Sequence, residues 1–426
     1  DKQYPSGAST RRREDRSGDR HVVTSVLMVL MGLMVLMVLM SVPATGGQEP
    51  SQSVTLNSEQ LLALEHEIEG LRASAGESSD VRRLITIDAQ LADHPVATRP
   101  DLPQKLLVVL AELGTDEARE YLRSVFETQT LRRHDAAAAL SIAVLQQPTS
   151  DQDWRYLVRS LTVVEGDQAV LVMKALLKFR RRATRPAWVR QVMLVALTLP
   201  ARDLSVALEL LKLWTAYVPG TQSSPTAQLA AYQAWFCDIY PHEPSPALPV
   251  DPPDARWTSD RLTGVLAEFT RDQAAIAAGA VVYARAACHK CHRRGNIKQQ
   301  PQNNQLGPDL TSLGWRRQPK EILTAILYPS YHLNDEYPVT TVVLQNGKSV
   351  SGLLMADHDN GLQVVGSDGT VTRFLKADIE QTRPSNVSHM PTGLLEPLSE
   401  REISQLLAFL SQPAGAGDPH RPTRSP

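Results

Sequence analysis

Cysteine is nearly absent: 426 residues hold three, too few for a disulfide framework that would stand in for a hydrophobic core. Phenylalanine is also sparse, six residues against 29 prolines, which argues for helices broken by linkers rather than a large β core. Charge of one sign is lacking as well. Lys and Arg total 44 against 46 Asp and Glu, a net charge of −2, so no basic footprint points to nucleic acid. The 42% hydrophobic and 21% charged content is ordinary for a globular protein. The length allows two or three domains.

One long apolar run is present. Residues 22–40 (VVTSVLMVLMGLMVLMVLM) are 19 residues without a charge, preceded by a basic segment (1–21) with Arg11, Arg12, Arg13, Arg16 and Arg20. This is the pattern of a signal peptide (22–44) cleaved near the small residues of SVPATGG. It is equally the pattern of an uncleaved membrane anchor, because about 20 apolar residues span a bilayer. A core helix is a poorer match, since the run is apolar on every face. In both cases the arginines stay inside and the rest is exported, to the periplasm or another extracytoplasmic space. The membrane is met only through this segment.

After a linker at 45–54, residues 55–240 carry helical periodicity. In TDEAREYLRSVFE, Ala118, Tyr121, Leu122, Val125 and Phe126 fall on one helix face, with Thr115 as N-cap. Trp154, Leu157, Val158 and Leu161 repeat the pattern. Short turns at Gly166, Pro186 and Pro200 separate further helices, as in antiparallel pairs stacked into an α-solenoid. The architecture is similar to HEAT-type arrays, with a generic helical bundle as the alternative. His66, His94 and His134 are far apart in sequence and make no catalytic set. Six prolines within 241–253 mark a semi-rigid linker (241–256). A second domain follows at 257–412, then a disordered tail at 413–426.

Two of the three cysteines lie in Cys288-His289-Lys290-Cys291-His292. Cysteines at i and i+3 share a helix face, and a pair so placed can add to the two vinyl groups of one haem. The following His292 then binds the iron through Nε2. This is the c-type haem attachment signal. Zinc is an alternative, but it wants four ligands, and there is no second C-x-x-C. A thioredoxin-like redox pair belongs between a strand and a helix, whereas QAAIAAGAVVYARAA reads as a helix leading into the motif. Cys237 is left over and is expected to be a buried small hydrophobe.

The region around the motif resembles class I cytochromes c. Gly279 and Tyr283 stand nine and five residues before Cys288, where such domains pack their first helix on their last. PLSEREISQLLAFL supplies that last helix, with Ser399 and Glu402 as a capping box. By the resemblance, Gly307 and Pro308 lie beside the proximal histidine. The Pro308 carbonyl would accept from Nδ1 of His292, leaving Nε2 for iron. Met390, followed by Pro391, is the implied sixth ligand, and a thioether raises the potential relative to a second imidazole. His389, Met355, His332 and His358 are its rivals; Met355 is expected in the core of a strand, His332 and His358 on the surface.

His292 and Met390 are 98 residues apart, long for a small cytochrome. Residues 338–384 read as a small β unit, SH3-like, with hairpins at Asn346-Gly347 and Asp368-Gly369. Removing its 47 residues leaves 98 − 47 = 51. The order of C-x-x-C-H, GPDLTSLG, ILTAILYPSYHLNDEY, β unit and SHMPTGLL resembles the planctomycete and verrucomicrobial haem-binding domain family over about 270–412. The expected fold is thus mainly α: a helical-repeat region, then a class I cytochrome c-like domain with an inserted β unit.

The resemblance implies one covalently attached haem c and an electron carrier rather than a catalyst. Its partner would be a periplasmic dehydrogenase or another cytochrome. Lys290, Arg293, Arg294 and Lys298 could steer an acidic partner to the haem edge, with a plain solvated cluster as the alternative. The helical region would serve as a protein-docking platform. Two other readings stand beside this one: a haem enzyme or sensor with an open sixth site for peroxide or a gas, and a redox-linked interaction scaffold.

Overall fold

The computed structural model describes residues 56–412 apart from 74–76, 94–98, 148–149, 221–223, 268, 296–305, 334–336 and 359–360. The expectations for residues 1–54, for Lys298, His94 and the tail at 413–426 lie outside the described residues, as does that for the side chain of His358. Among the described residues no helix is long and apolar enough to cross a membrane. The described chain is mainly helical with one small antiparallel sheet.

The first region is a succession of helices: α1 (Ser58–Arg72), α2 (Ser78–Asp93), α3 (Leu102–Leu113), α4 (Asp116–Thr128), α5 (Arg133–Gln146), α6 (Asp151–Ser160), α7 (Gly166–Lys178), α8 (Pro186–Thr198), α9 (Leu204–Thr215) and α10 (Pro225–Ile239). The Thr115 hydroxyl accepts from the Ala118 N–H at 3.2 Å and starts α4. Pro186 and Pro225 occupy the first helical positions of α8 and α10, where no N–H is needed. Gly114, left-handed at φ 65°, ends α3. The odd-numbered helices form one row, each packed on the next but one; α2, α4 and α6 pack against both sequence neighbours, and α8 and α10 against α9 and each other. Trp154, Leu157, Val158 and Leu161 are all buried in one continuous core. Cys237 is exposed, contrary to expectation. The buried stripe of α10 runs through Leu229, Tyr232 and Phe236, and Cys237 falls beside it.

The second region begins with α11 (Ser259–Ala267) and α12 (Gln273–Arg285), continues through α13 (Leu313–Arg316) and α14 (Pro319–Leu327), and ends on α15 (Glu400–Leu410). Its own core joins Leu262, Tyr283, Ile322, Leu398, Leu406 and neighbours. The Ser399–Glu402 capping box opens α15. Helices α12 and α15 cross in close contact: a Cβ on Gly279 would lie 2.0 Å from the Gln405 carbonyl oxygen and 2.7 Å from the Phe409 Cβ. One turn on, the Tyr283 and Phe409 rings meet at 5.4 Å between centroids.

Between α14 and α15 lie β1 (Val339–Leu344), β2 (Ser349–His358), β3 (Gly361–Val365), β4 (Val371–Leu375) and β5 (Ile379–Pro384). Their order is β4-β3-β2-β1-β5, and every pairing is antiparallel. The turns at Asn346-Gly347 and Asp368-Gly369 put their glycines at φ 79° and 82°. Val342, Val364 and Phe374 form the sheet's small core. Met355 is 40% exposed, not a core residue as expected. The β2–β3 register shifts between Leu354 and Ala356, so Met355 is the extra residue of a bulge that breaks the alternation.

The two regions are hydrogen-bonded. Thr130 Oγ1 donates to the Trp315 carbonyl at 2.9 Å, Arg133 Nη2 to the same carbonyl at 2.8 Å, and Gln318 Nε2 to the Thr130 carbonyl at 2.9 Å. The proline-rich linker is held from both sides: Arg190 Nε donates to the Ser245 carbonyl at 3.0 Å and the Tyr328 hydroxyl to Asp251 at 2.5 Å.

The crossing at Gly279 has no room for a methyl group. Gly279→Ala is expected to destabilise the protein by about 2 kcal/mol through overpacking, read as a lowered urea midpoint; an unchanged midpoint would mean that the helices part without cost.

Candidate functional site

The site begins where α12 stops. The Ala286 N–H donates to the Val282 carbonyl at 2.8 Å. Ala287 then takes a left-handed conformation at φ 59°, which costs a residue with a Cβ about 1 kcal/mol. That reversal starts a single 3-10 turn over Cys288–Lys290. Side chains at i and i+3 of such a turn eclipse one another, so Cys288 and Cys291 stand in line. The N–H groups of Cys291 and His292 both donate to the Cys288 carbonyl, at 3.2 and 2.9 Å.

His292 is fixed at both ends. Its carbonyl accepts from the Tyr283 hydroxyl at 2.7 Å, and its Nδ1 is 3.0 Å from the Pro308 carbonyl oxygen. A carbonyl only accepts, so Nδ1 carries the proton and Nε2 keeps its lone pair. Gly307 lies against the ring: a Cβ there would be 2.6 Å from Cε1 and 2.8 Å from Nδ1. The Leu310 N–H donates to the Arg293 carbonyl at 2.8 Å, which ties the 307–311 segment to the motif. Burial lowers the imidazole pKa, against the raising effect of the Pro308 bond. Burial pushes the Cys288 thiol up to about 11 and raises that of Cys291. Among the described residues no three His, Cys, Asp or Glu side chains gather as metal ligands would.

These side chains face a cavity of about 1710 Å³, larger than the roughly 300–1,000 Å³ of ordinary ligand pockets. Cys288, Cys291, His292, Gly307, Pro308 and Met390 all line it. So do Leu161, Val164, Leu194 and Val195 of the helical region, and Leu248 and Pro249 of the linker. Two thiols, an imidazole and a thioether on one largely apolar cavity are a donor set suited to a flat macrocycle held at its edge and its metal.

Met390 is half-buried, and its N–H donates to Ser388 Oγ at 3.1 Å. The Ser388 N–H donates to Ser330 Oγ at 3.0 Å, joining this loop to the one after α14. His389 and His332 line the same cavity; Met355 does not. Among the described residues His389 Nε2 has no hydrogen-bond partner, and burial lowers this imidazole's pKa while Asp368 opposes the effect. His332 is exposed, as expected, but to this cavity. The cavity walls around it still cost the imidazolium hydration, and with the charges of Arg190 and Arg317 this lowers the imidazole's pKa.

The three described basic residues, Lys290, Arg293 and Arg294, do not form one surface. Lys290 and Arg293 are exposed, and Arg293 Nε is 3.5 Å from Asp309. Arg294 is 6% exposed and its guanidinium lies 4.4 Å above the Phe409 ring. It donates to the carbonyls of Leu310 at 2.6 Å, of Gln412 at 3.1 Å and of Phe409. A partner cannot reach it there, and its work is to join the motif, the 307–311 segment and the end of α15.

The cavity-facing position of His332, the Ser330–Ser388 bond and the apolar wall from the α6–α7 turn and α8 escaped the sequence reading. Each depends on a contact between segments far apart in the chain, and no local spacing announces it. No protein-family model matches the chain, and no curated protein matches it.

Arg294→Met should cost about 3 kcal/mol or more, since it strands buried carbonyls, while Arg293→Ala should stay within about 0.5 kcal/mol; equal urea midpoints for the two would refute the division of roles. Ala287→Gly relieves the left-handed strain and should raise stability by about 1 kcal/mol, seen as a higher midpoint with the cysteine spacing intact.

Proposed function

We propose that the protein is an exported monohaem c-type cytochrome that carries single electrons between periplasmic redox partners. The observation that carries this reading is the 3.0 Å bond from His292 Nδ1 to the Pro308 carbonyl, with Gly307 against the ring. It leaves Nε2 as the nitrogen for iron, inside a C-x-x-C-H turn on a cavity with room for a porphyrin. Residues 257–412 would then be a class I cytochrome c-like domain of the planctomycete and verrucomicrobial haem-binding type, with the β unit inserted. The stacked helices before it would be a HEAT-like α-solenoid.

In this reading Cys288 and Cys291 would hold haem c through thioether bonds to its two vinyl groups. His292 and Met390 would hold its iron. The bound haem supplies one-electron ferric–ferrous chemistry. The chain's own residues do the rest. Pro308 and Gly307 hold the proximal ring in one tautomer and orientation. The apolar wall from the α6–α7 turn, α8 and the linker would limit water around the iron. Lys290, Arg293 and Lys298 remain the candidates for meeting an acidic partner, such as a dehydrogenase or another cytochrome. The N-terminal segment directs export, either as a cleaved signal or as an anchor.

A second reading, a haem enzyme or sensor with an open sixth site, is favoured by one observation: the cavity is larger than ordinary ligand pockets and includes a wall from the helical region. Carbon monoxide separates the two. Co-expressed with a haem-maturation system, the full chain should stain for haem on a denaturing gel, and Cys288→Ser/Cys291→Ser should not. The ferrous protein should be low-spin and unchanged by carbon monoxide. A carbon monoxide spectrum would favour the enzyme or sensor, and unmodified thiols in the matured chain would end both.

A further inference from the structure

The cavity wall carries His332 as well as Met390. The two arrive on segments joined by one hydrogen bond, from the Ser388 N–H to Ser330 Oγ at 3.0 Å. His332 is two residues past one end of that bond and Met390 two residues past the other. The helical region steadies the histidine. Its ring meets the Tyr331 ring at 4.5 Å between centroids, and the Arg190 guanidinium of α8 lies 5.0 Å from the Tyr331 centroid. Arg190 is itself 5% exposed and bonded to the linker at Ser245. His332 thus lines the same cavity as His292, on a loop braced by Tyr331 and Arg190.

Resting on the reading that haem is attached at Cys288 and Cys291, we propose that His332 is a reserve axial ligand, able to take the sixth position when Met390 leaves it. Imidazole is a common ligand of iron and thioether a soft one, so the exchange would lower the reduction potential. The protein would then hold two states of different potential on one haem, selected by which of two adjoining loops reaches the metal. No bond to carbon is made or broken: one donor atom leaves the iron and another arrives.

The test uses the full chain matured with haem, with attachment checked first by intact mass. Wild type without covalent haem overturns the electron-carrier reading, and this assignment with it, before any variant is compared. Given attachment, Met390→Ala should stay low-spin in the ferrous state, resist carbon monoxide and show a lower potential than wild type. Met390→Ala/His332→Ala should be high-spin and bind carbon monoxide. Free imidazole should restore the low-spin spectrum to the double variant, separating a vacated position from a collapsed fold. Two results would overturn the assignment: a high-spin Met390→Ala, or a double variant as low-spin as the single one, which would pass the role to His389.

Discussion

At Gly279 two helices pass with backbone against backbone, and the geometry around the motif follows from that contact. Because α12 lies so close to α15, Tyr283 reaches both the Phe409 ring and the His292 carbonyl. Arg294 reaches the carbonyls at the end of α15 and, in the other direction, Leu310. The 307–311 segment is therefore placed relative to the helix pair, and Pro308 is carried to within hydrogen-bonding distance of Nδ1. A side chain at residue 279 would push the helices apart and loosen each of these links in turn. The cysteine turn itself is local, set by the left-handed Ala287 and the end of α12.

The helical region is bonded to the region that carries the motif and helps to wall its cavity. Thr130 and Arg133 grip the backbone around Trp315, while Leu161, Val164, Leu194 and Val195 close one side of the cavity. Such buried guanidinium-to-carbonyl bonds are costly to leave half-made, which favours one fixed arrangement of α5 against α13. The proline-rich segment that looked like a spacer is likewise tied to Arg190 and Tyr328. The lining of the cavity draws on residues from His134 to Leu410, in both regions and the linker between them.

What could be read from the sequence was what is local. Helix α4 with its Thr115 cap, the buried stripe from Trp154 to Leu161, the Ser399 capping box, both hairpin turns and the helix leading to Cys288 rest on spacing and on single-residue conformational preference. The Gly279–Tyr283 packing and the His292–Pro308 contact were expected from resemblance and are present as contacts in the fold. The rest depended on distant pairing. Strand β5 adds to β1 rather than to its neighbour β4, a bulge turns Met355 outward, and Arg294 differs from Arg293 only because α15 happens to cover it. His332 looked like a surface residue because nothing local shows that the surface it faces is the wall of a cavity.

The strand order also bears on how such a chain is assembled over evolutionary time. The sheet is entered on β1 and left on β5, and these are neighbours: Thr340 stands opposite Pro384, and the Ser385 N–H donates to the Val339 carbonyl at 2.8 Å. The host fold therefore needs only a narrow gap between two adjacent backbone positions to accept the whole unit. Because its two ends lie side by side, the length of the unit between them can change without moving the helices on either side of it.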